Sequence, residues 1–124
     1  MQPWTRVTYL LPITSTNDKT ACLRALNYLR SRHPGSGHPH PISGFTSTAA
    51  DHEVIKGYYW SRTHGRWVDD SIAVLFIDFP RPIDDPTLET EALAIKAQIE
   101  KLYEDEGTRQ DELWCTAESV GLII

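Results

Sequence analysis

Three histidines stand close together in the first third of the chain, and imidazole is the commonest metal-binding side chain in proteins. They are His33, His38 and His40, in the stretch RHPGSGHPHP. In an extended segment, His38 and His40 could place both rings on one side. A metal site also needs ligands that are held rigidly, whereas this stretch is rich in glycine and proline and lacks a C-x-x-C or H-E-x-x-H motif. We therefore expect a solvated loop without a bound metal, with a metal site as the alternative.

A second group of chemically capable residues surrounds a predicted hairpin, GYYWSRTHGRW. If Ser61 pairs with Arg66 across a four-residue turn, Trp60 lies opposite Trp67. Cross-strand aromatic pairs stabilise hairpins by roughly 0.2–1 kcal/mol, which is a sufficient structural reason for two tryptophans here. We expect both rings to be partly buried, at one end of the sheet.

The same pairing places Tyr58 opposite Asp69, with Arg62, His64 and Arg66 at the turn. Aromatic rings beside cations could bind a small anionic or aromatic ligand. They could equally pack a neighbouring subunit, because Trp, Tyr and Arg are enriched at interface hot spots. The candidate ligand-binding residues are Tyr58, Trp60, Arg62, His64, Trp67 and Asp69.

The carboxylates offer little for acid–base catalysis. Asp69 and Asp70 are adjacent, so a strand points them to opposite faces, whereas catalysis needs two groups that converge. Asp78 interrupts an apolar run and is expected to end the strand or to pair with an arginine. Ser47 and His52 lack the strand–turn–helix context of a nucleophile and its base. We predict no catalytic residue and no cofactor.

The elements that must position these groups follow from periodicity. A strand is predicted from Arg6 to Thr14. The stretch TSTND then offers several helix-capping side chains, Thr16, Asn17 and Asp18 among them, and a helix follows that ends near Arg32. A loop follows from His33 to Gly44. GFTST is predicted to open a second strand, with VIKGYYWS as its continuation or, alternatively, as a separate strand. RWVDDSIAVLFIDFP gives the strongest strand signal.

A second helix is predicted after Asp84 and Asp85, where Pro86 suits the first helical turn, and Gly107 ends it. DELWCTA and GLII form the last strand region. Apolar residues on the second helix recur every three or four positions, at Leu88, Ala92, Ile95, Ile99 and Leu102. The charged residues that flank this stripe are Glu89, Glu91, Lys96, Glu100, Lys101 and Glu104.

This order predicts an α+β fold of the ferredoxin-like βαββαβ type, a single domain over residues 1–124 with an antiparallel sheet and both helices on one face. Another α+β sandwich is the alternative. The run from Ser71 to Phe79 is apolar at both parities, although a strand with one wet face should alternate. We expect another subunit to cover the second face, with the long loop or the C-terminal tail as the alternative cover.

The element order, the hairpin GYYWSRTHGRWVDDS and the closing DELWCTAESV resemble the small ferredoxin-like proteins of the CutA and PII type. The resemblance covers most of the chain in arrangement and implies a compact trimer whose open sheet faces meet inside the assembly. PII proteins carry a long nucleotide-gating loop between the middle strands, and the turn RTHG is too short for one. The resemblance therefore implies fold and assembly, without nucleotide sensing.

The composition limits the function. The 124 residues carry a net charge of −5 with scattered Lys and Arg, which argues against nucleic acid, and no apolar run approaches the roughly 20 residues of a membrane span. Without a recognisable signal peptide, and with Cys22 and Cys115 expected as buried free thiols, we expect a cytoplasmic protein. We expect a non-enzymatic homo-oligomer, a trimer or a dimer, that regulates or binds a small ligand. The alternatives are a small enzyme with a subunit-interface site and a protein-interaction module that docks through the hairpin.

Overall fold

The computed structural model describes residues 2–48, 55–108 and 113–123. Its first half contains strand β1 (Gln2–Pro12), helix α1 (Thr16–Ser31), and the short strand β2 (Phe45–Ser47). Strands β3 (Ile55–Ser61) and β4 (Arg66–Phe79), helix α2 (Pro86–Asp105) and strand β5 (Cys115–Leu122) follow.

The sheet is antiparallel, with β1 and β4 at its centre. β1 pairs with β4 on one side and with β5 on the other. β2 and β3 share the remaining edge of β4, where β2 lies against the end of β4 and β3 against its start. This is the predicted α+β ferredoxin-like fold, in which the weakly signalled GFTST segment contributes the short strand β2.

The core lies between the sheet and the two helices. Alternate residues of β4 are buried as the parity of the sequence predicts, because one side of the strand faces the helices. The buried β4 residues are Ala73, Leu75, Ile77 and Phe79, and the β1 residues on the same side are Thr5, Val7, Tyr9 and Leu11. The helices contribute the predicted stripe of α2 and, from α1, residues Ala21, Cys22, Ala25, Leu26 and Leu29.

The helix starts follow local capping rules. Asp85 is the N-cap of α2, as predicted, and its carboxylate accepts from the backbone N–H of Thr87 at 2.9 Å. α1 begins within the predicted capping stretch TSTND, where Ser15 is the N-cap. The Ser15 hydroxyl accepts from the N–H of Asp18 and the Asp18 carboxylate accepts from the N–H of Ser15, which makes a capping box.

Two predictions need correction. β1 runs from Gln2 to Pro12 rather than from Arg6 to Thr14, because pairing with β5 extends it at its start. Glu91 does not flank the apolar stripe of α2 but is buried within it. Across the described residues, neither helix is long and apolar enough to cross a membrane.

Candidate functional site

The hairpin of β3 and β4, here called the aromatic hairpin (residues 55–72), has the predicted register. Ser61 pairs with Arg66, Trp60 with Trp67, and Tyr58 with Asp69, whose side chain lies outside the described part. The two indole rings meet edge to face, with centroids 5.7 Å apart and planes at 81°. This geometry suits the quadrupoles of two aromatic rings, so the pair holds the two strands in register.

The turn of the aromatic hairpin is closed by its own polar groups. The carbonyl of Ser61 accepts from the N–H of Gly65 at 2.8 Å, and the Ser61 hydroxyl accepts from the N–H of His64 at 3.1 Å. Gly65 has a φ of +62°, which favours glycine at this position. Arg62 and His64 are therefore presented at a fixed, exposed turn.

The aromatic side chains of this hairpin are more exposed than the sequence predicts. Tyr58, Trp60 and Trp67 keep 62%, 53% and 66% of their surface in contact with solvent. By strand alternation Trp67 lies on the same side of β4 as the buried Ala73. The helical layer therefore covers β4 from Ala73 onward and leaves the aromatic hairpin uncovered.

The opposite face of the sheet carries an ion pair among apolar side chains. Arg6 Nε and Nη2 donate to the two carboxylate oxygens of Asp78 at 2.9 and 3.1 Å, which is the arginine pairing expected for this aspartate. This hydrogen bonding raises the pKa of Arg6 above its ordinary value. The Arg6 guanidinium also lies 4.0 Å above the centre of the Phe76 ring. Asp78 is thus held in a bidentate ion pair with Arg6.

The three loop histidines are exposed. His38 Nδ1 accepts from the backbone N–H of His40 at 3.0 Å, and His33 Nδ1 lies 2.8 Å from the carbonyl oxygen of Pro34. Within the described part of the chain, no three His, Cys, Asp or Glu side chains are grouped so that they could hold a metal ion. The absence of metal binding at these histidines stays a prediction.

Beneath the same loop lies a buried charged cluster that we did not predict, here called the arginine–glutamate cluster (Arg32, Arg81 and Glu91). Arg32 Nη2 lies 3.3 Å from Glu91 Oε1, and the two side chains are only 4% and 5% exposed. Arg81 Nη2 donates to the other carboxylate oxygen of Glu91. Arg81 comes from the segment after β4, Glu91 from α2 and Arg32 from the C-cap of α1, so three separate segments converge here.

Arg32 also anchors the 33–44 loop. Its Nη2 donates to the carbonyl of His40 at 2.7 Å, and its own backbone carbonyl accepts from the N–H of Ile42 at 2.7 Å. Ile42 is buried in the core. The second half of this loop is therefore attached to the rest of the domain through the guanidinium and the backbone carbonyl of Arg32.

Two cavities flank the arginine–glutamate cluster. One, of about 270 Å³, lies between the 33–44 loop and the end of β4, and Arg81, Glu91, His40 and Ser43 contribute to its lining. The other, of about 380 Å³, lies between the same loop and the start of α2. The residues that line the second cavity are Tyr28, Arg32, His38, His40, Pro86, Thr87, Thr90, Glu91 and Ala94. His40 and Glu91 form walls of both.

One signal for this cluster was present in the sequence. Glu91 stands three residues after Leu88 and immediately before Ala92, which is a position on the apolar stripe of α2. A carboxylate buried at such a position needs a compensating partner, and a cation is the most effective one. The sequence could not identify that cation, because Arg32 lies 59 positions away in the chain.

Burial makes both thiols weakly acidic. Cys22 is buried, and burial raises the pKa of its thiol to about 11, while Cys115 is half-buried and its pKa is also raised by burial. Thiols of this kind are poor nucleophiles near neutral pH. Ser47 lies in β2, and His52 is outside the described residues.

Comparisons with known proteins give a fold likeness and no family. No family model and no curated protein matches the sequence. The chain is similar to a solved Bacillus cereus protein related to NIF3, with 9% identity and a TM-score of 0.50 over 96% of this chain. It spans only about a quarter (26%) of that protein. It is also similar to a phage SAM lyase solved with S-methyl-5'-thioadenosine, with 15% identity and a TM-score of 0.49, covering 97% of this chain and 89% of that one. The likeness to the NIF3-related protein concerns the fold alone.

Proposed function

We propose that this protein is a non-enzymatic binding protein that works as a homo-oligomer, and that its aromatic hairpin packs against another subunit. The observation that carries the proposal is the exposure of three large aromatic side chains, Tyr58, Trp60 and Trp67, on one hairpin. Monomeric proteins rarely leave such clusters open to water. Tyrosine, tryptophan and arginine are the residues that dominate binding at protein interfaces.

The second face of β4 supports the same proposal. Ile72, Val74 and Phe76 point away from the helices and are only half-buried in the single chain. β4 thus presents apolar side chains on the side that the helices leave open. Burial of that surface between subunits would stabilise the assembly by about 25 cal/mol for each Å² of apolar surface removed from water.

Charge supports a second copy of this chain as the partner. The turn of the aromatic hairpin carries Arg62 and Arg66 and no carboxylate, whereas the whole chain has a net charge of −5. A cationic turn is attracted to the acidic surface of a neighbouring subunit, and such complementarity also fixes orientation. From the resemblance in arrangement to CutA and PII proteins, we prefer a trimer, with a dimer next. We place the protein in the cytoplasm.

The oligomeric state tests the proposal directly. Light scattering coupled to size exclusion at micromolar concentration is expected to give a multiple of the 14.1 kDa chain mass. Trp67→Ala is expected to shift the protein toward the monomer, while its circular dichroism spectrum remains that of the folded protein. Trp114→Ala is the matched control, because Trp114 is similarly exposed at 62% but lies outside the hairpin. A wild type that stays monomeric would contradict the proposal and would favour a module that docks on a different protein.

A small-ligand site at the same hairpin is the second candidate function. The observation that favours it is the presentation of Arg62 and His64 at the exposed turn that joins the strands of the tryptophan pair. A small anionic or aromatic compound that stabilises the wild type but not Arg62→Ala, with both in the same oligomeric state, would select it. Turnover of such a compound would move the alternative of a small interface enzyme ahead.

A further inference from the structure

The arginine–glutamate cluster lies apart from the aromatic hairpin and needs no second subunit. We propose that it binds the anionic group of a small molecule, a carboxylate or a phosphate, in the cleft between the 33–44 loop and α2. The inference is independent of the proposed assembly, because every residue that carries it belongs to one chain.

The charge of the cluster is unbalanced. Two guanidiniums, those of Arg32 and Arg81, share the single carboxylate of Glu91. Arg32 is only 3% exposed and Glu91 only 6%. The Arg81 side chain is 24% exposed, so water reaches only part of the excess positive charge. Two guanidiniums that share one carboxylate still leave a net positive charge that favours an anion. A bound anion would supply the missing negative charge.

The nearby acidic groups do not supply it. Asp78 borders the smaller cavity, but its two carboxylate oxygens accept from Arg6. Asp85 attracts Arg81 by charge and shares Thr87 with it, yet its carboxylate lies at the N-cap of α2 and accepts from Thr87. Water screens a charge at that rim far more than a charge in the cluster.

The hydrogen-bonding capacity of Arg32 is also underused. Its Nη2 donates to His40 and Glu91. Among the residues that the structure describes, Nη1 reaches only the Tyr28 hydroxyl, at 3.4 Å. Its Nε is buried and has no hydrogen-bond partner among the described residues. Arginine carries five N–H donors, and the donors of a buried guanidinium are nearly always satisfied in native proteins. Arg32 lines the larger cavity, so an oxyanion bound there would lie beside this guanidinium.

The larger cavity has the size and lining for the rest of such a molecule. Its volume of about 380 Å³ lies in the range of small-molecule sites, roughly 300–1,000 Å³. Hydroxyl groups of Tyr28, Thr87 and Thr90 can orient a ligand, and Pro86 and Ala94 give it an apolar wall. Few polar groups on a partly apolar lining is the usual composition of a ligand pocket.

A cavity-filling variant tests the site without disturbing the ion pairs. Ala94 is exposed and lines the larger cavity, so Ala94→Leu places a larger side chain there and keeps good helix propensity. Ala97→Leu is the matched control, because Ala97 is exposed on the same helix and does not line the cavity. Inorganic phosphate and benzoate are the probes, each titrated against sodium chloride at equal ionic strength.

At least one probe is expected to raise the melting temperature of the wild type and of the control variant Ala97→Leu. The increase should saturate with probe concentration and exceed the effect of chloride. Ala94→Leu is expected to raise the apparent Kd at least tenfold. Stabilisation by phosphate alone identifies an inorganic or phosphorylated ligand, and stabilisation by benzoate identifies an organic carboxylate. If neither probe exceeds chloride, or if both leucine variants respond as the wild type does, the cleft is not an anion site.

A charge-conserving change tests the role of the guanidinium. Arg32→Lys keeps the positive charge but removes the planar fork of donors, and it is expected to weaken the apparent Kd of the responding probe at least tenfold. Arg30→Lys, at an exposed position on the same helix, is expected to leave the Kd unchanged. Equal binding by a folded Arg32→Lys variant and the wild type would overturn the assignment of Arg32, and an unfolded variant leaves the Ala94→Leu result as the deciding measurement.

Discussion

Arg32 and Glu91 form an ion pair that is almost completely removed from solvent, with Arg32 Nη2 3.3 Å from Glu91 Oε1. The pair joins the end of α1 to the first half of α2. Because Arg32 also holds the 33–44 loop through the carbonyl of His40, one guanidinium links two helices and a loop. Its consequence for stability can be measured separately from any ligand.

Loss of the Glu91 carboxylate is expected to be strongly destabilising. Glu91→Gln leaves two buried or partly buried guanidiniums without their counter-charge, which typically costs about 3–5 kcal/mol in free energy of unfolding. Glu89→Gln is the control, since Glu89 is exposed on the same helix and should change stability by less than about 0.5 kcal/mol. Urea denaturation measures both. A Glu91→Gln variant as stable as Glu89→Gln would show that the cluster contributes little.

The N-cap of α2 is expected to make stability depend on pH. The hydrogen bonds from Thr87, first from its side chain and then from its backbone, hold the pKa of Asp85 below its ordinary value. A carboxylate whose pKa is lower in the folded state stabilises the protein above its unfolded pKa, near 3.9, and loses that contribution as pH falls through the folded value.

Asp85→Asn removes this titration but keeps a good capping acceptor. The free energy of unfolding of the wild type should therefore fall more steeply than that of Asp85→Asn between pH 5 and pH 2.5, in paired denaturant titrations. Asp84→Asn, at the preceding exposed position, serves as the comparison. Parallel pH curves for the wild type and Asp85→Asn would contradict the prediction.

The Cys22 thiol is expected to be unreactive in the native protein. Burial raises its pKa to about 11, so at pH 8 only about one thiol in a thousand is ionised. Reaction with Ellman's reagent at pH 8 should thus be limited to Cys115, which is half-buried, and should be slow. Cys22→Ser should leave the native reaction unchanged, and both thiols should react in guanidinium chloride. Rapid labelling of Cys22 in the native protein would mean that this part of the core opens readily.

The loop histidines are expected to contribute little to stability. Replacing His38 and His40 together by Ala removes one local hydrogen bond, from the His40 N–H to His38, but leaves the His40 carbonyl available to Arg32. The change should stay within about 0.5 kcal/mol, with or without zinc. Differential scanning calorimetry measures it. Stoichiometric zinc that survives purification of the wild type and is lost in the double variant would establish a metal site.

Elements with local causes were predictable from the sequence. Asp85 before Pro86 fixes the start of α2 because capping and the allowed φ of proline act within one turn. The alternation in β4 predicts which residues are buried, because successive side chains of a strand point to opposite faces. The register of Trp60 with Trp67 follows from the short turn between them.

What the tertiary structure decided concerns contacts between distant segments. The sequence pattern predicts Glu91 as a flanking charge. In the fold, Glu91 is buried against Arg32 and Arg81, which come from separate segments of the chain. The exposure of Trp60 and Trp67 depends on how far the helices reach along β4, and the pattern within a strand carries no information on that length. The sequence by itself thus determined the elements and the buried side of the central strands. Packing decided which charges are buried together and which aromatic rings remain open, because both depend on three-dimensional proximity between residues far apart in the chain.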